Sequence, residues 1–367
     1  MNIMLFPRVL AKTGVGNYVA QLARELNRKG HKVIIVSGLN EISFNDPDIK
    51  YIHIPINLST KNPIHHIKNV IAICKCIKDN KIDIVHCHHR MSAFYMKICS
   101  ILVGVPFVYT LHSVNIPCDF RHRIVTFVGK AAIAVSTDAY EFLTKKLKVP
   151  YKKACKVYSG VDESKLLPLS DNERKNLKGL WNIDEEKIIV AIHSRIAAIK
   201  NHILVAEALN KLPPQQREKI VVVCSGDTNS LYYKKLVAKI AEYNLQHNFR
   251  FVGWCDSRDI LGIADIMVAP SFKEGFPLNV VEAFLMKVPV ARSKTGGYED
   301  QKFCFPISER NCGDVVKILE DFCNGEAEKY RANTEIAYKY AKENFTLEKM
   351  TVSIVEIYKK VCEKSGN

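Results

Sequence analysis

Residues 187–226 read KIIVAIHSRIAAIKNHILVAEALNKLPPQQREKIVVVCSG. Two β-branched runs, KIIVAIHS and KIVVVCSG, flank a helix-length segment that starts at Asn201, so the stretch predicts a strand, a crossover helix and a second strand parallel to the first. The same grammar continues toward the C-terminus: a helix near Ser230–Tyr243, FRFVGW, a short helix, DIMVAPS, a helix near Pro277–Lys287 and VPVARS. Toward the N-terminus it is already present as NIMLF, a helix near Val15–Lys29, KVIIVS, YIHI, a helix near Pro63–Asp79, IDIVHC, another helix and PFVYTLH. AAIAVS, a helix from Thr137 and CKVYS complete that half. Strands separated throughout by helices imply parallel sheets covered on both faces. The expected fold class is therefore α/β, with two Rossmann-like doubly wound domains.

A chain of 367 residues suits two domains of ordinary size. The polar, strand-free segment after Val161 carries the boundary, which gives a first domain at 1–165 and a second at 166–345. Residues 346–367 read as a helix whose stripe of Met350, Ile354, Ile357, Tyr358 and Val361 is expected to pack back toward the first domain. The opening MNIMLF reads as a strand rather than a secretory leader, and the run 98–111 is broken by Gly104 and Pro106 and is too short to span a bilayer. A cytoplasmic location follows as the expectation. The 12 cysteines contain no C-x-x-C pair and predict reduced thiols rather than a zinc ribbon or a disulfide framework. Although His86, Cys87, His88 and His89 are all potential ligands, neighbours on a strand point to opposite faces, so no metal site is expected.

Charge is unevenly distributed. Residues 1–160 hold 23 Lys and Arg against 9 Asp and Glu, a net of +14, whereas residues 161–367 hold 30 against 29, a net of +1. An anionic partner for the first half is implied. LTKKLKVPYKKACK places six lysines between Lys145 and Lys156, and NPIHHIKNVIAICKCIKDNK is basic and amphipathic. Both point to reversible docking on an anionic membrane surface, peripheral to the cytoplasmic face of the inner membrane. Neither segment interleaves the aromatic residues of a single-strand nucleic-acid platform, so no nucleic acid is expected as partner.

In doubly wound sheets ligands bind beyond the carboxyl ends of the strands, so the loops there carry the chemistry. PRVLAKTGVGNYV puts Gly14 and Gly16 between the first strand and its helix, where amides can approach an anion. The third position of a dinucleotide fingerprint is Val19 and no acid ends the second strand, which disfavours a dehydrogenase. His112 follows the strand VYTL and can contact a sugar hydroxyl or serve as a base. Arg195 and Lys200 in SRIAAIK suit a diphosphate leaving group. In APSFKEGFPLNVVEAFLMKVPV, residues 269–290, Pro277 is placed as the first residue of a helix. Glu274 remains in the loop while Glu282, eight residues on, falls about one turn inside that helix. One carboxylate can face a sugar ring and the other ribose hydroxyls. The amides around Phe276–Asn279 form an anion site at the helix start.

Taken together, TGVGNYVAQLARELNRKGHKV, DIVHCHH, VYTLHS, VYSGVDESKL, SRIAAIK, FVGW and EGFPLNVVEA resemble glycosyltransferase family 4 over nearly the whole chain. The resemblance implies the GT-B fold, with two Rossmann-like domains facing a central cleft, and a retaining transfer with an E-x7-E signature. A nucleotide-diphosphate sugar, UDP-sugar favoured, would be the donor, and a glycan or lipid-linked molecule of bacterial surface polysaccharide or lipopolysaccharide assembly the acceptor. By the same resemblance Gly16 approaches the diphosphate, Arg195 and Lys200 bind its phosphates, and His112 contacts the donor sugar near the reacting carbon. Glu274 with the amides of Phe276, Leu278 and the residues flanking Pro277 would hold that sugar, and Glu282 the ribose. No cofactor is implied, and the family is metal-independent. The sequence departs from the family pattern at Ser159, where Asn is usual, and in TGGYEDQ, where the spacing to Glu299 is compressed. A GT-B sugar-nucleotide epimerase is the alternative enzyme, and a basic nucleic-acid-binding protein a more distant one.

Overall fold

A computed structural model describes every residue except 12, 41–45, 57–61, 115 and 364–367. The chain divides into two units, unit 1 built from Met1–Val161 and Phe345–Asn367, and unit 2 from Asp162–Asn344. The strands of unit 1 are β1 (Asn2–Phe6), β2 (Lys32–Ser37), β3 (Lys50–His53), β4 (Ile84–Cys87), β5 (Phe107–Leu111), β6 (Ala131–Ala134) and β7 (Ala154–Lys156). They pair in the order β3-β2-β1-β4-β5-β6-β7, all parallel. Unit 2 repeats the plan with β8 (Ile188–His193), β9 (Ile220–Ser225), β10 (Phe249–Gly253), β11 (Ile266–Ala269), β12 (Val290–Ser293) and β13 (Phe305–Ile307), ordered β10-β9-β8-β11-β12-β13. Each sheet reverses its strand order once, between β1 and β4 and between β8 and β11. Those two points are where a doubly wound sheet opens a crevice for a ligand.

Strands such as KVIIVS and IVVVCS are buried over almost their whole length because helices cover both faces of each sheet. In unit 2, Val190, Ile192, Val222 and Cys224 of the sheet pack against Leu204, Ala208, Leu236 and Ile240 of the flanking helices. In unit 1 the apolar stripe of the Leu347–Glu363 helix, Met350, Ile354, Tyr358 and Val361, joins the core made by β1, β2 and the Gly14–Arg28 helix.

The returning chain is stitched in place beside the point where it first leaves unit 1. The Val161 amide donates to the Phe345 carbonyl at 2.9 Å and the Leu347 amide to the Val161 carbonyl at 2.8 Å. Gly160 makes this approach possible, since a Cβ there would lie 2.3 Å from the Thr346 oxygen. Overpacking against backbone cannot relax by a side-chain rotation, so Gly160→Ala is expected to cost about 1–3 kcal/mol in a urea titration. A variant as stable as the parent would show that the seam yields.

Candidate active site

In unit 2 the loop after β8 begins at Ser194 and carries Arg195 and Lys200. Gly226, at the end of β9, has φ +116°, and a Cβ on it would meet the Ser194 oxygen at 2.6 Å and the Ile196 nitrogen at 3.0 Å. Glycine is needed there for the loop to lie against the sheet. The Ser230 hydroxyl holds the same loop by donating to the Ile196 carbonyl at 2.9 Å. Lys200 closes a 3-10 turn, Ala198–Lys200, and Asn201 follows it in the left-handed region with φ +56°. Arg195 is exposed. The Lys200 ammonium lies 2.6 Å from Glu274 Oε1, and the two side chains are only 17% and 12% exposed. Sequence reasoning gave Lys200 to a diphosphate and Glu274 to a sugar. The structure joins them in one ion pair.

The Glu274 loop leads into the Leu278–Leu285 helix. Pro277 is its N-cap rather than its first residue, so the helix starts one position after the start assigned from sequence; Pro277 supplies no side-chain cap, and the first turn has no acid. The positive end of the helix dipole is therefore left uncompensated by side chains. Phe276 is buried. Asn279 donates from Nδ2 to the His193 carbonyl at 2.7 Å, which ties the helix start to the end of β8. Glu282 Oε2 accepts from the Ser257 hydroxyl at 2.8 Å. Ser257 Oγ also lies 2.9 Å from His193 Nε2, and His193 Nδ1 lies 2.8 Å from Ser225 Oγ. A hydroxyl has one proton to give. With Ser257 donating to the carboxylate, neutral His193 must donate from Nε2 and accept from Ser225 at Nδ1. Burial lowers the His193 pKa, against the opposing pull of Glu282 and Asp256, in keeping with a neutral ring. His193, Ser225 and Ser257 were not singled out from sequence. The only available signal was a histidine at the end of a buried strand, the same signal that pointed to His112.

Unit 1 gathers histidines at the carboxyl ends of β4 and β5. His86 and His88, two apart, share a face and are joined there by His112, with ring centroids 4.1 Å apart for His86–His88 and 5.4 Å for His88–His112. His86 is bonded on both nitrogens, to Tyr358 Oη and Thr110 Oγ1, each at 2.6 Å. His88 Nδ1 meets His112 Nε2 at 3.1 Å, and Tyr18 packs edge-on against His112 at 4.7 Å. His112 is thereby engaged at Nε2. His89 turns away to cap the Arg90–Val103 helix, accepting from the Met91 amide at 3.2 Å. Gly16 is required by its own chain: a Cβ would sit 1.8 Å from the Ala11 oxygen. At Gly14 a Cβ would meet open space, so packing alone does not explain that glycine.

Residues 12–165 match the model of Glycosyltransferase Family 4 and residues 173–302 that of Glycosyl transferases group 1. The chain belongs to glycosyltransferase family 4. Among its relatives is an uncharacterized glycosyltransferase of Methanocaldococcus jannaschii, 21% identical over 98% of this chain and 97% of that one. The UDP-Gal:alpha-D-GlcNAc-diphosphoundecaprenol alpha-1,3-galactosyltransferase of Escherichia coli is 26% identical over 69% of this chain and 68% of its own. A glycosyltransferase from Rickettsia africae shares the GT-B fold with a TM-score of 0.84 at 24% identity, covering 98% of both chains. Anabaena HepE in complex with UDP does so with a TM-score of 0.81 at 18% identity, over 98% of this chain and all of that one.

The glycosyltransferase keeps its buried imidazoles neutral. Burial holds His86, His112 and His202 down to about 3, and His89 to about 4, with nearby Arg8 and Arg90 adding to the effect at His89. In the unfolded chain these rings titrate near 6.5, so below that pH the unfolded state takes up protons that the folded state refuses. Stability is undiminished above about pH 6.5 and falls as pH drops toward the folded values, by up to ~1.4 kcal/mol per pH unit for each histidine. The urea midpoint should be clearly lower at about pH 5 than at about pH 7. Equal midpoints would contradict the neutral cluster.

Proposed function

We propose that this glycosyltransferase takes a sugar from a nucleotide diphosphate, with UDP-sugar favoured, and transfers it with retention to a lipid-linked or glycan acceptor of bacterial surface polysaccharide assembly. The observation that carries this reading is the separation of the two carboxylates at the carboxyl edge of one sheet: Glu274 on Lys200, Glu282 on Ser257. One loop acid next to a cation suits the sugar and the diphosphate beside it. One helical acid, oriented by a serine and a neutral histidine, suits the ribose hydroxyls. The Escherichia coli relative is named for a UDP-galactose donor and a diphosphoundecaprenol-linked acceptor, and HepE is known with UDP, which supports both halves of the proposal.

Bond cleavage at the anomeric carbon leaves the nucleotide diphosphate with the electron pair. Arg195, Lys200 and the uncapped start of the Leu278–Leu285 helix, with the amides of Phe276, Leu278 and Asn279, stabilise that charge. This positive set does the work that a divalent ion does elsewhere, so the reaction is metal-independent and needs no cofactor. Glu274 holds the sugar as its ring gains oxocarbenium character. The acceptor hydroxyl attacks the face that the leaving group quits, which retains the configuration, and its proton passes to the departing diphosphate oxygen. Glu274→Ala is expected to lower kcat about 100-fold in a transfer assay. Glu282→Ala should weaken nucleotide binding about ten-fold by calorimetry, the worth of a hydrogen bond to a charged group. Wild-type values in both variants would overturn the assignment.

The acceptor's membrane gives unit 1 its anionic partner. The Pro63–Asp79 helix exposes Ile64, Ile67 and Ile71 beside Lys68 and Lys75, and the neighbouring Arg90–Val103 helix exposes Ile98, Ile101 and Leu102 beside Lys97. In the lysine-rich stretch 145–156, Leu147 and Val149 are buried and Tyr151 is exposed, so that segment offers charge with a single aromatic side chain beside it. Among the described residues no helix is long and apolar enough to cross a membrane. Docking on an acidic cytoplasmic leaflet then combines shallow insertion with lysine attraction. Cosedimentation with phosphatidylglycerol vesicles should exceed that with phosphatidylcholine at low salt and fall in an Ile67→Glu, Ile101→Glu variant. Equal recovery on both lipids counts against docking.

A further inference from the structure

VPVARS reads from sequence as a strand, with no role for Arg292. In the structure this arginine is buried in β12 at 1% exposure, and it is the largest side chain so deeply enclosed. Its Nη1 donates to Gln301 Oε1, and its Nη2 donates to the Gly296 carbonyl at 3.0 Å and to Thr295 at Oγ1 (3.1 Å) and the carbonyl (3.3 Å). Nε donates to the Ser293 carbonyl at 3.3 Å. Gln301 is also fully enclosed, and because its oxygen faces the guanidinium its Nε2 points the other way, donating to the Pro277 carbonyl at 2.9 Å. The second arm reaches the same loop. Gly296 lies so close that a Cβ would meet the Glu274 oxygen at 2.5 Å and the Gly275 oxygen at 2.9 Å, while Gly297, at φ +76°, lies against Phe276.

We propose that Arg292 and Gln301 are positioning residues for the donor sugar: one planar guanidinium sets the Thr295–Gly296 turn behind Glu274 and, through Gln301, anchors Pro277 at the other end of the loop. This rests on the reading of Glu274 as the sugar contact. A guanidinium carries its donors in a rigid fork, so the direction of both arms is set at once, which a flexible ammonium cannot do. The nucleotide side of the site is held by different bonds, from Ser257, His193 and Asn279. Disturbing the fork therefore moves the Glu274 sugar contact most and touches the nucleotide only through the amides beside Pro277, leaving the Glu282 contact in place.

Gln301→Glu separates the arms cleanly. The carboxylate still accepts from Arg292 and preserves the buried pairing, but it cannot donate to the Pro277 carbonyl. Three measurements apply: hydrogen exchange of the amides in 274–279, thermal stabilisation by UDP against UDP-galactose (or GDP against GDP-mannose where the wild type prefers guanine), and the KM and kcat of transfer. The expected result is faster exchange in 274–279, a smaller loss of stabilisation by the bare nucleotide than by the nucleotide sugar, and kcat/KM down about ten- to a hundred-fold, the scale of a small misplacement. Arg292→Lys should show the same larger loss for the sugar, milder than Arg292→Met. Unchanged exchange in 274–279, or nucleotide and nucleotide sugar weakening equally, would overturn the proposal. A wild-type enzyme that no nucleotide sugar stabilises would sink the donor reading instead, and the exchange result would still decide whether Arg292 and Gln301 support the loop.

Discussion

A parallel strand can be reached only by a crossover, and that constraint orders everything else in this glycosyltransferase. Every strand of a unit runs the same way, so all carboxyl ends collect on one edge and all the loops that follow them meet there. In unit 2 the edge brings His193 from β8, Ser225 from β9, the Glu274 loop after β11 and Arg292 from β12 within bonding distance of common partners. In unit 1 it brings His88 beside His112. The chemistry is a consequence of strand direction before it is a consequence of any single side chain.

What distinguishes the edge of unit 2 is that Lys200, Glu274 and Glu282 already have partners. The attraction between Lys200 and Glu274 at 2.6 Å is offset by the cost of taking both out of water, so the net stabilisation of such a pair is small. A small net value is functionally useful. In the proposed reaction an arriving diphosphate redirects the ammonium and a sugar takes the carboxylate, without a large penalty for breaking the resting contact. Glu282 differs, because its orientation comes from a relay through Ser257 to a neutral histidine whose tautomer is fixed by Ser225. One acid is held loosely by a competitor, the other firmly by a scaffold.

Unit 1 spends its residues differently. Its imidazoles are buried and neutral, so they add hydrogen-bonding geometry at the strand ends without adding to the positive charge carried on the surface. That surface combines lysines with exposed isoleucines on two adjacent helices, the patch on which the proposed membrane docking rests. The division of charge along the chain, +14 in residues 1–160 and +1 in the rest, follows this separation of tasks.

Much of this was legible without coordinates. Periodicity along KIIVAIHS and KIVVVCSG, the helix-length segment between them and the eight-residue spacing from Glu274 to Glu282 are properties of near neighbours, and backbone sterics translate them directly into strand, helix and loop. The glycine at position 16 was also visible, though its reason was not: the oxygen of Ala11 excludes any side chain there. Strand alternation correctly separated His86 and His88 from Cys87 and His89, yet it could not foresee that His112, from the next strand, would complete a row with the first pair. Ser225, Ser257, Gly226 and Gln301 were silent in the sequence because each meets a residue brought alongside by the fold rather than by spacing, and Arg292 was silent because its near partners matter only through the contact of Gln301 with Pro277. Short-range patterns determined which elements form and where their loops begin. The partners across those loops were decided only when the parallel sheets closed, since hydrogen bonds of about 3 Å between residues tens of positions apart exist only once the whole edge is assembled.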